Sequence, residues 1–366
     1  MARKLKSDKL LFLMIVLLVG VSIVMVYSAS AVMAMDRYEQ PYLFLFKQGT
    51  WAVLGLFLLG MMMRIDYRSY KQPVVIWSAV IVVLVTLIAV LFSPPINGTR
   101  RWFAVMGIGI QPSEFAKLVT ILFTAALLER KMDRINDLSV AVLPIGLVVG
   151  TFVGLILLEP DFGTALTLVL ITAVIVYAAG ISYRYLVGAA LIALPLVYWL
   201  AMRVEYRRRR VLAFLDPWDD PLGDGFQIIQ SLIAVGSGGI FGRGLMAGVQ
   251  KLFYLPEAHT DFIYAVIAEE LGLIGATIVL MCFGVIAWRG FRISLRAPDR
   301  FGTFLALGLT TMVVTQAFVN ISVVLGLMPT KGLPLPFVSA GGSSLLVNML
   351  GMGILLNVSQ HCTRST

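Results

Sequence analysis

The chain has 366 residues, 59% hydrophobic and 13% charged, with a formal net charge of +9. Soluble domains carry about 25% charged residues, so a water-soluble fold is excluded and an integral membrane protein is indicated. Cys282 and Cys362 form no disulfide framework, and His259 and His361 are too far apart in sequence for a metal-ligand pattern.

A helix needs roughly 17 to 25 apolar residues to cross the hydrocarbon. Ten such stretches are present, at 10–33, 46–63, 72–92, 112–128, 139–158, 162–180, 184–202, 262–287, 301–325 and 344–360. The expected fold is therefore an all-α polytopic bundle forming one domain over 1–366. The first stretch follows Arg3, Lys4, Lys6 and Lys9, and its core is too long for a signal peptide, so it is a retained span. Only Glu159-Pro160-Asp161 separates the fifth stretch from the sixth. The longest polar segment, about 203–261, leaves no room for a separate soluble catalytic domain.

Orientation follows from lysine and arginine in short loops. With both termini cytoplasmic, one side collects Arg3, Lys4, Lys6, Lys9, Arg64, Arg68, Lys71, Arg130, Lys131, Arg134, Arg184, Arg289, Arg292, Arg296, Arg300 and Arg364. The short outer loops hold only Arg37, Lys47, Arg100, Arg101 and Lys331. The 203–261 segment becomes one long outer loop between spans seven and eight. Arg203 and Arg207 to Arg210 lie in it, either anchoring the end of span seven or forming an anion clamp.

Every conspicuous polar motif then falls on the outer face. Asn97-Gly98-Thr99-Arg100-Arg101-Trp102 precedes span four, which begins near Pro112. Glu114 and Lys117 share one face of that span, as a self-neutralising ion pair or as site residues. Gly236 to Gly244 is glycine-dense, lacks a P-loop ending, and suits a re-entrant or interfacial loop with Arg243 facing polar groups.

Glu257, His259 and Asp261 crowd the outer end of span eight, a costly placement that points to a site. Thr260 is a candidate cap there, and a helix N-terminus would favour an ionised Asp261. Glu269 and Glu270 point in opposing directions, so both cannot face one cavity, and one is expected to support helix packing. Three prolines exclude a regular helix over 329–337, and Ser339 to Ser344, including Ser343, opens span ten with small residues.

Taken together, Asn97 to Trp102, Gln111 to Lys117, Glu159 to Thr164, Leu255 to Gly272 and Pro329 to Ser344 resemble the SEDS proteins (shape, elongation, division and sporulation). Pro329 to Pro336 and Phe253 to His259 resemble the division branch more than the elongation branch. Ala340 departs from the pattern, since many relatives carry an aromatic residue there. The resemblance implies a ten-span peptidoglycan glycosyltransferase of the bacterial plasma (inner) membrane, working on the extracytoplasmic face at the septum. It implies lipid II and the nascent glycan strand as substrates. Expected partners are a class B penicillin-binding transpeptidase, other division membrane proteins and the lipid bilayer, with no nucleic acid.

The resemblance also implies a catalytic acid at Asp261 and supporting roles for Glu114 and Lys117. Further candidates for substrate contact are Arg243, Arg101, His259, Glu257, Lys331 and Ser343. A divalent cation, Mg or Mn, could share in neutralising pyrophosphate. No organic cofactor is expected. The competing class is a lipid II flippase, whose polar groups should occupy both faces and the midplane.

Overall fold

A computed structural model describes residues 7–95, 98–105 and 108–362. Arg3, Lys4, Lys6, Asn97 and Arg364 lie outside the described residues. Twelve α-helices run along these residues: α1 (Lys9–Tyr38), α2 (Leu43–Met62), α3 (Pro73–Val90), α4 (Pro112–Lys131), α5 (Leu143–Leu158), α6 (Phe162–Ala178), α7 (Tyr183–Arg203), α8 (Glu205–Leu215), α9 (Phe226–Gly238), α10 (Ile263–Arg296), α11 (Arg300–Val324) and α12 (Gly342–Ser359). Ten of them are the expected spans. Between α3 and α4, a short antiparallel hairpin pairs β1 (Phe103–Val105) with β2 (Ile108–Ile110), with Phe103 opposite Ile110.

Seven helices are long and apolar enough to cross a membrane by length and composition. Glu114, Lys117 and Glu129 interrupt α4, which keeps it out of that set. The α5 helix has 16 residues but continues a π-helical turn over Leu138–Val142. Together they give 21 residues, or about 31 Å at 1.5 Å each. The centre of the bundle is α11 and α12, whose apolar stretches are mostly enclosed by protein, whereas α7 buries no residue. The α4, α6 and α10 helices pack against α11, and α2 packs against α12.

The long loop is more structured than its polarity predicts. It folds into α8 and α9, and α9 docks on α10. The glycine-dense stretch then runs beside a break in α10 at Gly272, where φ is 66°. Leu273 and Ile274 donate backbone N–H groups to Gly239 and Ile240, while Arg243 and Gly244 donate to Glu269 and Glu270. A Cβ on Gly238 would stand 2.0 Å from the Ala268 carbonyl, so only glycine permits this approach. The broken helix thus has its freed backbone groups satisfied by the re-entrant chain.

Both glutamates of α10 serve packing. Glu269 accepts from Val249 N–H at 2.8 Å, and Glu270 accepts from Ser28 Oγ, Lys251 Nζ and Met246 N–H. Both are fully buried, so the opposing directions of their side chains are resolved by two separate sets of donors.

Candidate active site

A cavity of about 640 Å³ opens at the end of the bundle opposite the basic loops. The 98–102 segment, the Pro160-Asp161 turn, α8, the end of the long loop and the 330–344 segment wall it. Asp261, Glu257, Glu114, Arg101 and Lys331 line it, so five of the expected site residues meet in one place.

Asp261 sits two residues before the first residue of α10. The N-cap is Phe262, with no side-chain cap bond, and Thr260 Oγ1 donates instead to Glu257 Oε2 at 2.6 Å. Neither the Thr260 cap nor a dipole-favoured carboxylate is therefore realised. Enclosure by protein pushes the Asp261 carboxyl up to about 7, with Glu257 and Asp161 adding to the rise and Arg210 and Arg101 opposing it. Loss of water penalises the charged form more than one helix end rewards it.

Cations from three elements line the cavity that Asp261 shares. Arg101 donates to the carbonyls of Glu159 and Pro160 at 2.8 and 2.6 Å, which fixes its guanidinium on the cavity wall. Lys331 Nζ lies 5.5 Å from the centre of the Phe162 ring. Burial pushes its ammonium down to about 8, opposed by Asp161. A Cβ on Gly163 would meet Lys331 Cε at 2.8 Å, so the glycine leaves room for the lysine stem.

The arginine cluster of α8 divides. Arg210 lines the cavity, Arg207 lies over the Phe162 and Tyr206 rings, and Arg209 pairs with Glu205 in solvent. One arginine of the four, Arg210, thus reaches the cavity, and Arg207 and Arg209 are engaged elsewhere.

Four expected contacts are not on the cavity. Lys117 is buried, donating to Glu114 Oε1 at 2.9 Å and to Gln316 Oε1 at 2.8 Å. The two residues thus form a buried ion pair, with Glu114 on the cavity wall and Lys117 behind it. Arg243 lies on the re-entrant stretch, 3.8 Å from Glu269 Oε1, since its backbone is committed to α10. His259 packs its ring on Phe44 at 4.8 Å, and burial lowers its pKa. Ser343 is buried and faces the Gln111 N–H, while its neighbour Ser344 lines the cavity, as one residue turns a helix by about 100°.

Asp161 and Tyr206 also line the cavity, although neither was given a role from sequence. Asp161 caps α6 through Thr164 N–H at 3.1 Å and also accepts from Gln111 Nε2 at 3.1 Å. The Glu159-to-Thr164 motif signalled it. Tyr206, which donates to the Pro160 carbonyl at 3.1 Å, had no sequence signal. Behind them Glu159 is fully buried, with no hydrogen-bond partner on either oxygen among the described residues. Its carboxyl is pushed up to about 8, first by burial and then by Asp161, with Arg101 opposing.

Among the described residues, no three Asp, Glu, His or Cys side chains converge as a metal cluster. Asp161, Glu257 and Asp261 line the cavity as separate carboxylates, and an ion held by one or two of them would complete its shell with substrate phosphate oxygens and water. A second, more apolar groove of about 810 Å³ adjoins the cavity and is lined by Tyr42, Phe46, Trp51, Trp102 and Gly342 among others. Trp102 belongs to both walls.

The chain is 45% identical over 358 residues to the probable peptidoglycan glycosyltransferase FtsW of Geobacter sulfurreducens, covering 97% of this chain and 95% of that one. It is 42% identical over 365 residues to stage V sporulation protein E of Bacillus subtilis, covering 98% of each. Its fold matches a chain from a peptidoglycan synthase complex that coordinates polymerization and crosslinking, with a TM-score of 0.77, 35% identity and coverage of 96% and 97%. It also matches the rod shape determining protein RodA of Thermus thermophilus, with a TM-score of 0.72, 28% identity and 98% of each chain covered. A sequence profile for the FtsW/RodA/SpoVE family, described as cell cycle protein, matches residues 8–364. The chain belongs to that family.

Proposed function

We propose that this chain is a peptidoglycan glycosyltransferase that polymerises lipid II into glycan strands for septal wall synthesis. The observation that carries the reading is Asp261, a carboxylate of raised basicity facing a cavity shared with Arg101, Arg210 and Lys331. Its apolar helices make it a multi-pass membrane protein, and the asymmetry of basic loops favours a cavity on the extracytoplasmic side of the inner membrane.

In the reaction, the 4-hydroxyl oxygen of a lipid II GlcNAc attacks the anomeric carbon of the lipid-linked glycan. The new C–O bond forms as the bond to pyrophosphate breaks, and its electron pair leaves with undecaprenyl pyrophosphate. The hydroxyl proton passes to Asp261. A single displacement inverts the α-linkage to β. One base suffices, because pyrophosphate is already a good leaving group. Arg101, Arg210 and Lys331 are placed to neutralise it, and a general base works best with a pKa near the operating pH.

A Mg or Mn ion, if bound, would rest on the cavity carboxylates and the substrate's phosphate oxygens and would add to the neutralisation of pyrophosphate. The apolar groove beside Trp102 suits the polyprenyl tail, so substrate would arrive laterally from the bilayer. A class B penicillin-binding transpeptidase and other division proteins are the expected partners, and residues 1–366 act as one transmembrane unit.

The experiment is polymerisation of purified lipid II in detergent, with and without the transpeptidase. Glycan strands are expected, with more formed when the partner is present. Lipid II left intact in both reactions would contradict the enzyme reading and favour the flippase.

A further inference from the structure

Gln316 and Asn320 stand one helical turn apart on α11 and so share a face. Both are almost wholly buried. Gln316 Oε1 accepts from Lys117, and its Nε2 donates to the Pro334 carbonyl at 2.9 Å. Asn320 Nδ2 donates twice, to the carbonyl of Leu333 at 2.7 Å and to that of Asp261 at 2.8 Å. Its Oδ1 has no hydrogen-bond partner among the described residues. A bare buried acceptor is costly, so the contribution of this amide lies in its two N–H bonds.

Both carbonyls need such a donor. In a continuing helix the Ala265 N–H would serve Asp261, but here it donates to Phe262. Leu333 lies in a non-helical stretch beside Pro334, which has no N–H to offer. Between Lys331 and Leu333, Gly332 lies beside the carboxylate: a Cβ there would stand 3.0 Å from Asp261 Oδ2. One primary amide thus holds two backbone segments, one bearing the base and the other bearing Lys331.

We infer that Asn320 is a positioning residue that sets Asp261 against Lys331, with Gln316 carrying the hold of Lys117 to the same segment. The inference rests on the glycosyltransferase reading for its catalytic meaning, although the bracket itself is a matter of geometry. The positioned carboxylate shares its cavity with Glu257 from its own loop, Glu114 from α4, Asp161 and Arg101 from the neighbouring turns, Arg210 from α8 and Lys331 from the proline-rich segment.

The test uses the full chain with its transpeptidase partner and two variants. Asn320→Leu keeps the side-chain volume and removes the donors, while Asn320→Gln keeps a primary amide on a longer stem. For Asn320→Leu, kcat should fall about ten- to hundred-fold with little change in KM, as expected for a base displaced by about an ångström. Asn320→Gln should recover part of that loss.

A second readout needs no turnover: the pH midpoint for carbodiimide modification of Asp261, followed by mass spectrometry. Loosening the bracket hydrates the carboxyl, so the midpoint in Asn320→Leu should move to lower pH. Parental kcat and parental midpoint in Asn320→Leu would overturn the inference. A fall in kcat that only tracks lost folded protein, with the midpoint unmoved, would overturn it equally. If the parent chain itself forms no glycan, the proposed function fails while the midpoint still decides this inference.

Discussion

At the scale of single residues, the site is governed by what enclosure does to charge. Asp261 is raised to about 7 and Lys331 is lowered to about 8. The base must be ionised, so activity should fall as pH drops through about 7; the lysine must be protonated, so it should fall again above about 8. The expected result is a bell-shaped kcat/KM with a narrow summit between the two. A flat profile from pH 6 to 9 would contradict these assignments. Lys117 predicts differently from the cavity cations. Lys117→Ala leaves Glu114 buried and unpaired, and should cost about 3–5 kcal/mol of stability, read as a lower thermal midpoint in detergent. Replacing the pair together, Lys117→Met with Glu114→Gln, should recover much of that stability.

The legible residues were those whose cost shows locally: an acid at the end of an apolar run, or a lysine among prolines. His259, Arg243 and Ser343 were misplaced because their neighbours come from distant chain: Phe44, α10 and Gln111. Tyr206 and Asn320 carried no signal, since an aromatic near arginines and a buried amide occur in many helices. Only the fold reveals that Asn320 faces two stranded carbonyls.

At the scale of elements, apolar runs mark the ten expected helices, seven of which are long and apolar enough to cross by length and composition, and each is helical because its backbone must satisfy itself within hydrocarbon. It could not mark the break in α10, which depends on a second chain segment arriving at Gly272. The glycines at 236–244 hinted at such an approach without naming its target. Gly272 has a positive φ, and a Cβ on it would lie 2.3 Å from the Gly242 nitrogen. Gly272→Ala should therefore destabilise the protein by more than about 1 kcal/mol, measured as a lower thermal midpoint than that of Gly146→Ala, whose Cβ meets nothing within 4 Å. Equal midpoints would show that the re-entrant stretch is not held at that point.

At the scale of the whole molecule, the cavity lies at one end of the bundle and the basic short loops at the other. Segregation of this kind suits an enzyme fed from one leaflet better than a carrier that must expose polar groups to both sides. An impermeant thiol reagent applied to intact spheroplasts should label Tyr254→Cys, an exposed position beside the cavity loop, with both native cysteines replaced. Arg292→Cys, at the basic end, should remain protected. The reversed pattern would invert the protein in the membrane. The most direct test of the central claim compares Asp261→Asn with the parent on purified lipid II, each with the transpeptidase partner. The parent should build glycan strands, and the variant should build none while folding and binding its partner normally. Parental polymerisation by the variant would contradict Asp261 as the base.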